Sequence, residues 1–280
     1  MSIGFLAARR LFPGIGEGKG VVFAASAAMV AVCLASSDGM ADEKPAAGEK
    51  PRPPAIVLTE QATYAIEARD SAKAEKLLTD AIAEDGELAL AYYLRGRERF
   101  RLSKFDGSLA DFDRYVKLRP DRKSQQWERG ITCYYAGEFQ KGADQFELYQ
   151  TYHDSDVENS VWRFLCMTPL VGVEKAREKL LPIKNDPRVP MMTIFDMYRG
   201  EKTPEDVMAA AREGEPTKEE LAGRLFYSHL YIGLYEESLG HDKSAREHIL
   251  KACDDYRETK SLNRYMWDVA RVHAERLRKN

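Results

Sequence analysis

The sequence predicts an all-α protein, a right-handed α-solenoid of helical hairpins that ends in a C-terminal capping helix. Three observations support this fold class: a composition that favours helices, a repeat of 34 residues, and an N-terminal segment unlike the rest of the chain. The chain has 280 residues, of which 44% are hydrophobic and 31% are charged. This length is enough for a sizeable core, and the abundance of Ala, Glu, Lys, Arg and Leu favours helices.

Charge and cysteine content argue against two classes of protein. The chain has 42 basic and 45 acidic residues, which gives a formal net charge of −3. A nucleic-acid-binding protein carries a basic face or stripe, and this balance argues against one. Four cysteines in 280 residues are too few for a disulfide scaffold.

The N-terminal segment has the layout of a secretory signal peptide. An uncharged apolar run at 21–35 follows basic residues and precedes Gly39 and Ala41, small residues at the two positions that determine cleavage. The run is shorter than the roughly 20 apolar residues of a membrane-spanning helix. We therefore expect residues 1–41 to be removed on export, which predicts a periplasmic or extracellular protein.

Other readings of this segment stay open. An uncleaved run would be an N-terminal membrane anchor, and Arg9-Arg10 resembles the core of a twin-arginine signal. Cys33 stands where a lipoprotein carries its lipid, although the preceding Val32 is larger than the small residue expected there. Residues 42–58 are rich in proline and charge, which predicts an extended tether because proline interrupts helices.

The body of the chain repeats every 34 residues. Small residues recur at this interval, at Ala74, Ser108, Gly142, Ala176 and Ala210. Large apolar residues follow four positions later, at Leu78, Phe112, Phe146 and Leu180. This spacing is one face of a helix, and the small residue lets a neighbouring helix approach closely. Each hairpin must then stack on its neighbours, because it cannot bury its apolar face alone.

This pattern resembles the tetratricopeptide repeat (TPR) family. The matching residues are Gly96, Phe105, Ser108, Phe112 and Pro120 in one unit, and Gly130, Tyr134, Phe139, Gly142 and Phe146 in the next. The resemblance is strong over residues 59–155, which predicts regular TPR units. It weakens over 156–216, where we expect divergent helical hairpins, and returns over 217–280, where we expect a TPR-like hairpin and the capping helix.

The order of the units is also similar to that of NlpI-type envelope lipoproteins. Tyr198-Arg199-Gly200 and Tyr231-Ile232-Gly233 carry this similarity. It implies a non-catalytic scaffold that binds other proteins or peptides, among them envelope hydrolases or proteases. A cytosolic or membrane-anchored peptide-binding TPR protein and an enzyme accessory subunit are the alternatives.

The family resemblance also implies where a partner binds. The first helix of each TPR hairpin lines a concave groove, and Gly96 and Gly130 set its register. The predicted groove residues are Tyr93, Arg97, Phe100, Arg101, Trp127, Ile131, Tyr134 and Tyr135. Aromatic residues and arginine dominate interface hot spots, and we expect part of this set to pack between repeats instead.

Four arginines of these first helices have predicted roles. Arg97 and Arg101 lie one turn apart, so they could bind a peptide carboxylate or pair with nearby acids. Arg95 and Arg129 are expected to meet Asp111 or Asp144 on the second helices. The Lys and Asn of the carboxylate clamp of chaperone-binding TPR proteins are missing at the corresponding positions.

No pattern of catalytic or metal-binding residues stands out. His241 and His248 are seven residues apart, which places them about 10 Å apart on a helix, too far for shared ligation of one metal ion. Cys133, Cys166 and Cys253 are expected to be buried structural thiols. The sequence therefore predicts neither an enzyme nor a cofactor.

Overall fold

The computed structural model describes residues 52–279, which form thirteen α-helices and one 3-10 helix. None of these described residues lies in a β-strand. The predicted signal peptide and most of the predicted tether lie outside this range. Within it, no helix has the length and apolar character needed to cross a membrane.

The first six helices form three hairpins, as the repeat predicted. They are α1 (Pro54–Glu67), α2 (Ser71–Glu84), α3 (Ala89–Arg101), α4 (Phe105–Leu118), α5 (Trp127–Tyr135) and α6 (Phe139–Gln150). The 3-10 helix Pro120–Gln125 joins the second hairpin to the third. The first helix of each later hairpin packs on the second helix of the hairpin before it, which is TPR-like stacking.

The first helix begins inside the segment that the sequence predicted to be a tether. Pro54 is its first residue, and the helix continues to Glu67 without a break. Proline suits the first helical position because its missing N–H would have no partner there and its φ angle is already helical. Pro54 therefore starts the helix, and residues 54–58 belong to the solenoid rather than to the tether.

The remaining helices divide into a shortened region and a long final hairpin. They are α7 (Val157–Val171), α8 (Val173–Glu178), α9 (Met191–Arg199), α10 (Pro204–Ala210), α11 (Lys218–Ser238), α12 (Asp242–Asp255) and α13 (Arg264–Lys279). Helices α8 and α10 have six and seven residues, so the second helix of each of these hairpins is reduced to a turn or two. Helices α11 and α12 pack closely along their length as the last full hairpin.

Glycine allows the paired helices to touch. A Cβ atom placed on Gly96 would lie 3.3 Å from the ring of Phe112, and one on Gly130 would lie 2.6 Å from Phe146. In the last hairpin, Gly233 has the same relation to Ile249, at 2.7 Å. The 34-residue repeat therefore pairs a glycine on the first helix with a large side chain on the second.

The small residues of the repeat lie where the helices cross. Ala74, Ser108 and Ala176 are fully buried, and Ser108 Oγ donates a hydrogen bond of 2.6 Å to the carbonyl of Gly96. At the fifth position Ala210 is half-buried, and the neighbouring Ala211 takes the buried place. The register therefore shifts by one residue in the divergent region.

A buried ion cluster stabilises the divergent region. Arg188 contacts the carboxylates of Asp156, Glu158 and Asp186 at 2.6 to 2.7 Å. Burial raises the pKa of Asp156 and of Glu158, although Arg188 opposes the shift. Tyr231 of α11 donates a hydrogen bond of 2.5 Å to Glu158. The cluster therefore connects the irregular segment 179–190 to α7 and to the last hairpin.

The C-terminal helix α13 contacts more of the solenoid than a helix that covers only its end would. It packs on α12, as a terminal helix should, and its other side contacts α3 near the N-terminal end of the solenoid. Its buried face includes Tyr265, Val269 and Val272, each at most 2% exposed. Helix α13 therefore contacts both the last hairpin and the second hairpin.

Candidate partner-binding groove

The structure brings the predicted groove residues together along α3 and α5, at different depths. Tyr93, Phe100 and Ile131 are buried. The other five are half-buried, namely Arg97, Arg101, Trp127, Tyr134 and Tyr135. Their role in binding a partner stays a prediction, and their surroundings show which of them can still reach one.

Three of the eight residues pack between helices of the solenoid. Tyr93 lies with its ring centre 5.2 Å from that of Tyr115, and Tyr134 lies edge-on to Trp162 at 5.7 Å. Ile131 belongs to the hydrophobic core. These residues therefore pack mainly between the helices that form the groove, and less against a partner in it.

The other five contact α13, which lies in the groove. The ring of Tyr265 stacks on Phe100 with 5.0 Å between ring centres and meets Trp127 edge-on at 5.2 Å. The guanidinium carbon of Arg97 lies 5.3 Å from the centre of the Tyr265 ring. Tyr265 is fully buried as a result, in a pocket built from groove residues.

Polar contacts fix α13 beside this pocket. Arg101 donates a hydrogen bond of 2.8 Å to Asp268 and also pairs with Glu98 of its own helix at 2.5 Å. Arg271 donates to the carbonyl of Arg101 at 2.7 Å. Of the two arginines expected to bind a carboxylate, Arg101 therefore already binds one from this chain.

A buried histidine forms the second polar contact. His273 is fully buried, and its Nδ1 lies 2.9 Å from the hydroxyl of Tyr135. Its Nε2 lies 2.8 Å from Glu237, which Arg276 also contacts at 2.5 Å. Burial lowers the pKa of His273. Burial opposes ionisation of Glu237, but the contacts with His273 and Arg276 outweigh it and lower its pKa.

Arg97 differs from Arg101. Its guanidinium lies over the rings of Tyr93 and Tyr265, at 5.7 and 5.3 Å from the ring centres. No hydrogen bond or ion pair joins it to another residue of the range 52–279. The nearby Glu128 accepts a hydrogen bond of 2.8 Å from Tyr93, and burial raises the pKa of this carboxyl group. Burial opposes the charge of Arg97, but Tyr93, Glu128, Tyr265 and Glu98 outweigh it and raise its pKa, so Arg97 is a half-buried cation with carboxylates nearby and no ion pair to either.

The two structural arginines follow a spacing of 16 residues. Arg95 binds Asp111 through two hydrogen bonds of 2.7 and 2.9 Å, as the sequence predicted. Arg129 instead contacts Asp113 and Gln145, each at 2.8 Å, so the expected pairing with Asp144 is wrong. The equivalent of Asp111 is Gln145, and Asp144 lies one residue, or about 100°, further round the helix.

The described cysteines are buried, and two of the histidines approach each other. All three predicted structural cysteines are buried and free, and burial raises the pKa of the Cys133 and Cys253 thiols to about 11. His248 approaches His229, with 3.0 Å between their Nδ1 atoms, and not His241. Sequence reasoning missed this pair because it joins two helices. In the described range, no group of three or more potential ligands could hold a metal ion.

Sequence reasoning also missed the residues of α13 that contact the groove. Tyr265, Asp268 and Val272 follow one another at spacings of three and four, which places them on one helical face. Asp268 lies within an otherwise apolar helical face, and a buried acidic group needs a partner. This was the feature of the sequence that could have indicated a contact between α13 and a basic residue.

The sequence and the structure were compared with known proteins. No family model matches the sequence. The chain is similar to the crystal structure of PilW, described as a widely conserved type IV pilus biogenesis factor, with 15% identity and a TM-score of 0.43. The match covers 75% of this chain and 97% of that one. A likeness of this size carries no argument about function, and the TPR-like assignment rests on the stacked hairpins.

Proposed function

We propose that this protein is a non-catalytic adaptor that binds partner proteins or peptides in the groove between α3, α5 and α13. One observation carries the proposal: the groove already binds an amphipathic helix, α13. It does so with an aromatic ring in a pocket and an ion pair beside it, the combination found at the centre of protein interfaces.

The partner would contact the groove residues that α13 leaves partly exposed. Arg97 and Trp127 are half-buried, and Arg97 forms no ion pair within the range 52–279, although the carboxylates of Glu128 and Glu98 are near enough to raise its pKa. Arginine and tryptophan at the edge of a rigid, helix-built surface are suited to binding because little side-chain freedom remains to be lost. Helix α13 therefore acts as a third wall of the binding surface.

The proposed location is the cell envelope or the space outside it. The signal-peptide layout of residues 1–41 supports export, and the resemblance to NlpI-type proteins makes envelope hydrolases or proteases the first partners to test. Mass spectrometry of the protein from its native cell tests the location. We expect a mature N-terminus at Asp42, and an intact Met1 would contradict cleavage.

Affinity capture from the native envelope tests the adaptor role. We compare the full chain with Arg97→Gln and Trp127→Ala, and use Arg119→Gln as the control. Arg119 binds the adjacent Asp121 on the surface and is not a groove residue. We expect both groove variants to lose partners that the control keeps, with far-UV circular dichroism showing all of them folded. If all four proteins capture the same set, the groove is not the binding site.

A further inference from the structure

We infer that three arginines at the start of α13 form a carboxylate-binding patch for an acidic segment of the partner. The basic patch consists of Arg257 and Arg264, which lie over Trp267, and of Arg69, whose charge acts on Arg264. Arg69 lies in the turn between α1 and α2, Arg257 follows α12, and Arg264 is the first residue of α13. The inference rests on the proposed adaptor function and specifies the chemistry of the partner.

Trp267 holds two of these side chains in place. The guanidinium carbon of Arg264 lies 3.7 Å from the centre of the Trp267 ring, and that of Arg257 lies 5.8 Å from it. The indole is only 4% exposed and donates a hydrogen bond of 3.0 Å to the carbonyl of Cys253. Arg264 Nη1 donates a hydrogen bond of 3.1 Å to the carbonyl of Arg257, and the other N–H groups of a guanidinium stacked on a fixed ring can bind a carboxylate.

The patch forms no ion pair in the range 52–279, although the charges of Asp268 and Glu258 act on Arg264 and that of Asp254 acts on Arg257. None of its three arginines forms an ion pair there, whereas Arg276 and Arg278 of the same helix each bind a carboxylate. Arg278, for example, binds Asp254 at 2.7 Å. The missing ion pairs are therefore a property of this end of α13 and not of its arginines in general.

The position of Arg264 is unfavourable without an anion. Burial lowers its pKa, and the charges of Arg69 and Arg101 lower it further, against the opposing charges of Asp268 and Glu258. The N-terminal end of a helix also disfavours a cation, because the helix dipole is positive there. An acidic group bound at the patch would relieve both effects.

The neighbouring groove indicates that this anion is a carboxylate. Arg101, whose charge acts on Arg264, binds the carboxylates of Asp268 and Glu98. Arg101 is also a groove residue, so the patch continues the groove. A peptide bound along the groove would place its acidic residues on the patch, where the charges are complementary.

Fluorescence anisotropy tests the patch directly. The full chain is titrated into a labelled twelve-residue peptide rich in Glu and Asp, and into the same peptide with Gln and Asn in their place. We expect binding of the acidic peptide only, weakening as salt is raised because exposed charges are screened. Inorganic phosphate and vesicles of anionic lipid serve as competitors and are expected to displace little of the peptide.

Arginine variants locate the binding. Arg257→Gln/Arg264→Gln is expected to weaken the acidic peptide at least tenfold, and Arg69→Gln about threefold. Arg69 is exposed in a turn, so its variant tests the patch without disturbing the packing of α13. Arg119→Gln makes the same change of charge elsewhere and should bind as the wild type does.

Several outcomes would overturn the inference. They are equal binding of the acidic and amide peptides, unchanged binding by the patch variants, and binding of anionic vesicles without binding of the peptide. If the patch variants also keep every partner that Arg97→Gln loses in affinity capture, the adaptor function stands and the patch is rejected. Loss of the adaptor function itself would appear as capture unaffected by Arg97→Gln.

Discussion

At single residues, the contacts between paired helices depend on the absence of a side chain. Gly130 faces the ring of Phe146, which is 1% exposed and enclosed by the core. Gly223 of α11 is also helical, but a Cβ there would meet only Ser261 Oγ, at an ordinary 3.7 Å. The two glycines therefore separate the effect of crowding from that of helix propensity.

Gly130→Ala should destabilise the protein, and Gly223→Ala should not. The new methyl group at Gly130 would lie 2.6 Å from Phe146 Cζ, and such overpacking costs about 1 to 3 kcal/mol. At Gly223, alanine raises helix propensity and adds up to ~1 kcal/mol of stability. Urea denaturation followed by circular dichroism measures both. A Gly130→Ala protein as stable as the wild type would show that Phe146 can move.

The His229–His248 pair makes stability depend on pH. Burial, together with the charges of His248, Lys251 and Arg212, lowers the pKa of His229 to about 4 against the opposing charge of Glu247. Burial lowers the pKa of His248 as well. The unfolded chain therefore takes up these protons near pH 6.5, before the folded chain does.

The contribution of neutral His229 to the free energy of unfolding is complete above pH 6.5 and is lost as the pH falls toward 4. The slope is at most ~1.4 kcal/mol per pH unit for one histidine. The raised pKa values of Asp156 and Glu158 act in the opposite direction but are common to wild type and variant. We expect His229→Gln to have a flatter profile of unfolding free energy between pH 6.5 and 4. Parallel profiles would contradict this assignment.

At the scale of the secondary-structure element, α13 depends on one buried ion pair. Asp268 and Arg101 keep 8% and 15% of their side-chain surface exposed. A second Asp–Arg pair, Asp254–Arg278, joins the same helix to α12 with 50% and 43% exposed. The two pairs bind one helix, so burial is the main difference between them.

Asp268→Asn should loosen α13, and Asp254→Asn should not. Asp268→Asn removes the carboxylate that joins Arg101 to α13, and because Arg101 keeps its pair with Glu98 we expect a cost below the ~3 kcal/mol of a fully unpaired buried charge. An exposed pair contributes less than ~1 kcal/mol. Amide hydrogen exchange measures the effect: protection over 264–279 should fall in Asp268→Asn only. Equal loss of protection in both variants would show that the contact with Arg101 does not fix the helix.

At the scale of the whole described chain, α13 joins parts of the solenoid that the repeats alone do not connect. One hydrophobic cluster holds the first two hairpins, with Leu78 and Phe112 among its residues. The larger cluster runs from Phe100 to Ala274 and includes residues of α13. Helix α3 contributes to both, and Tyr265 packs on Phe100 at this junction. In a simple solenoid each repeat contacts only its neighbours.

Tyr265→Ala should separate the unfolding of the two clusters. Trp127, Trp162 and Trp267 all belong to or pack against the larger cluster, whereas circular dichroism reports on all the helices. We expect the fluorescence and circular dichroism transitions in urea to coincide in the wild type and to separate in Tyr265→Ala. Tyr152→Ala, at a residue 40% exposed, is the control. Coincident transitions in both variants would show that α13 does not couple the clusters.

The sequence alone was sufficient for the features that depend on nearby residues. The contacts within one hairpin recur at a fixed spacing in the sequence. They are the contacts made at Gly96 and Gly130, those of the buried small residues, and the Arg95–Asp111 pair. The turn glycines Gly137 and Gly240 could be read for the same reason, since both adopt the left-handed conformation that glycine tolerates best.

The position of α13 in the groove could be determined only from the three-dimensional structure. The contact between Arg101 and Asp268 spans 167 residues, and it depends on the curvature that all the intervening hairpins add together. Helices α8 and α10 are shortened to six and seven residues in a region where the repeat has drifted from its consensus. A repeat in the sequence specifies how neighbouring hairpins pack. The place where the last helix contacts the first hairpins depends on the packing of every hairpin between them, and the sequence pattern does not specify it.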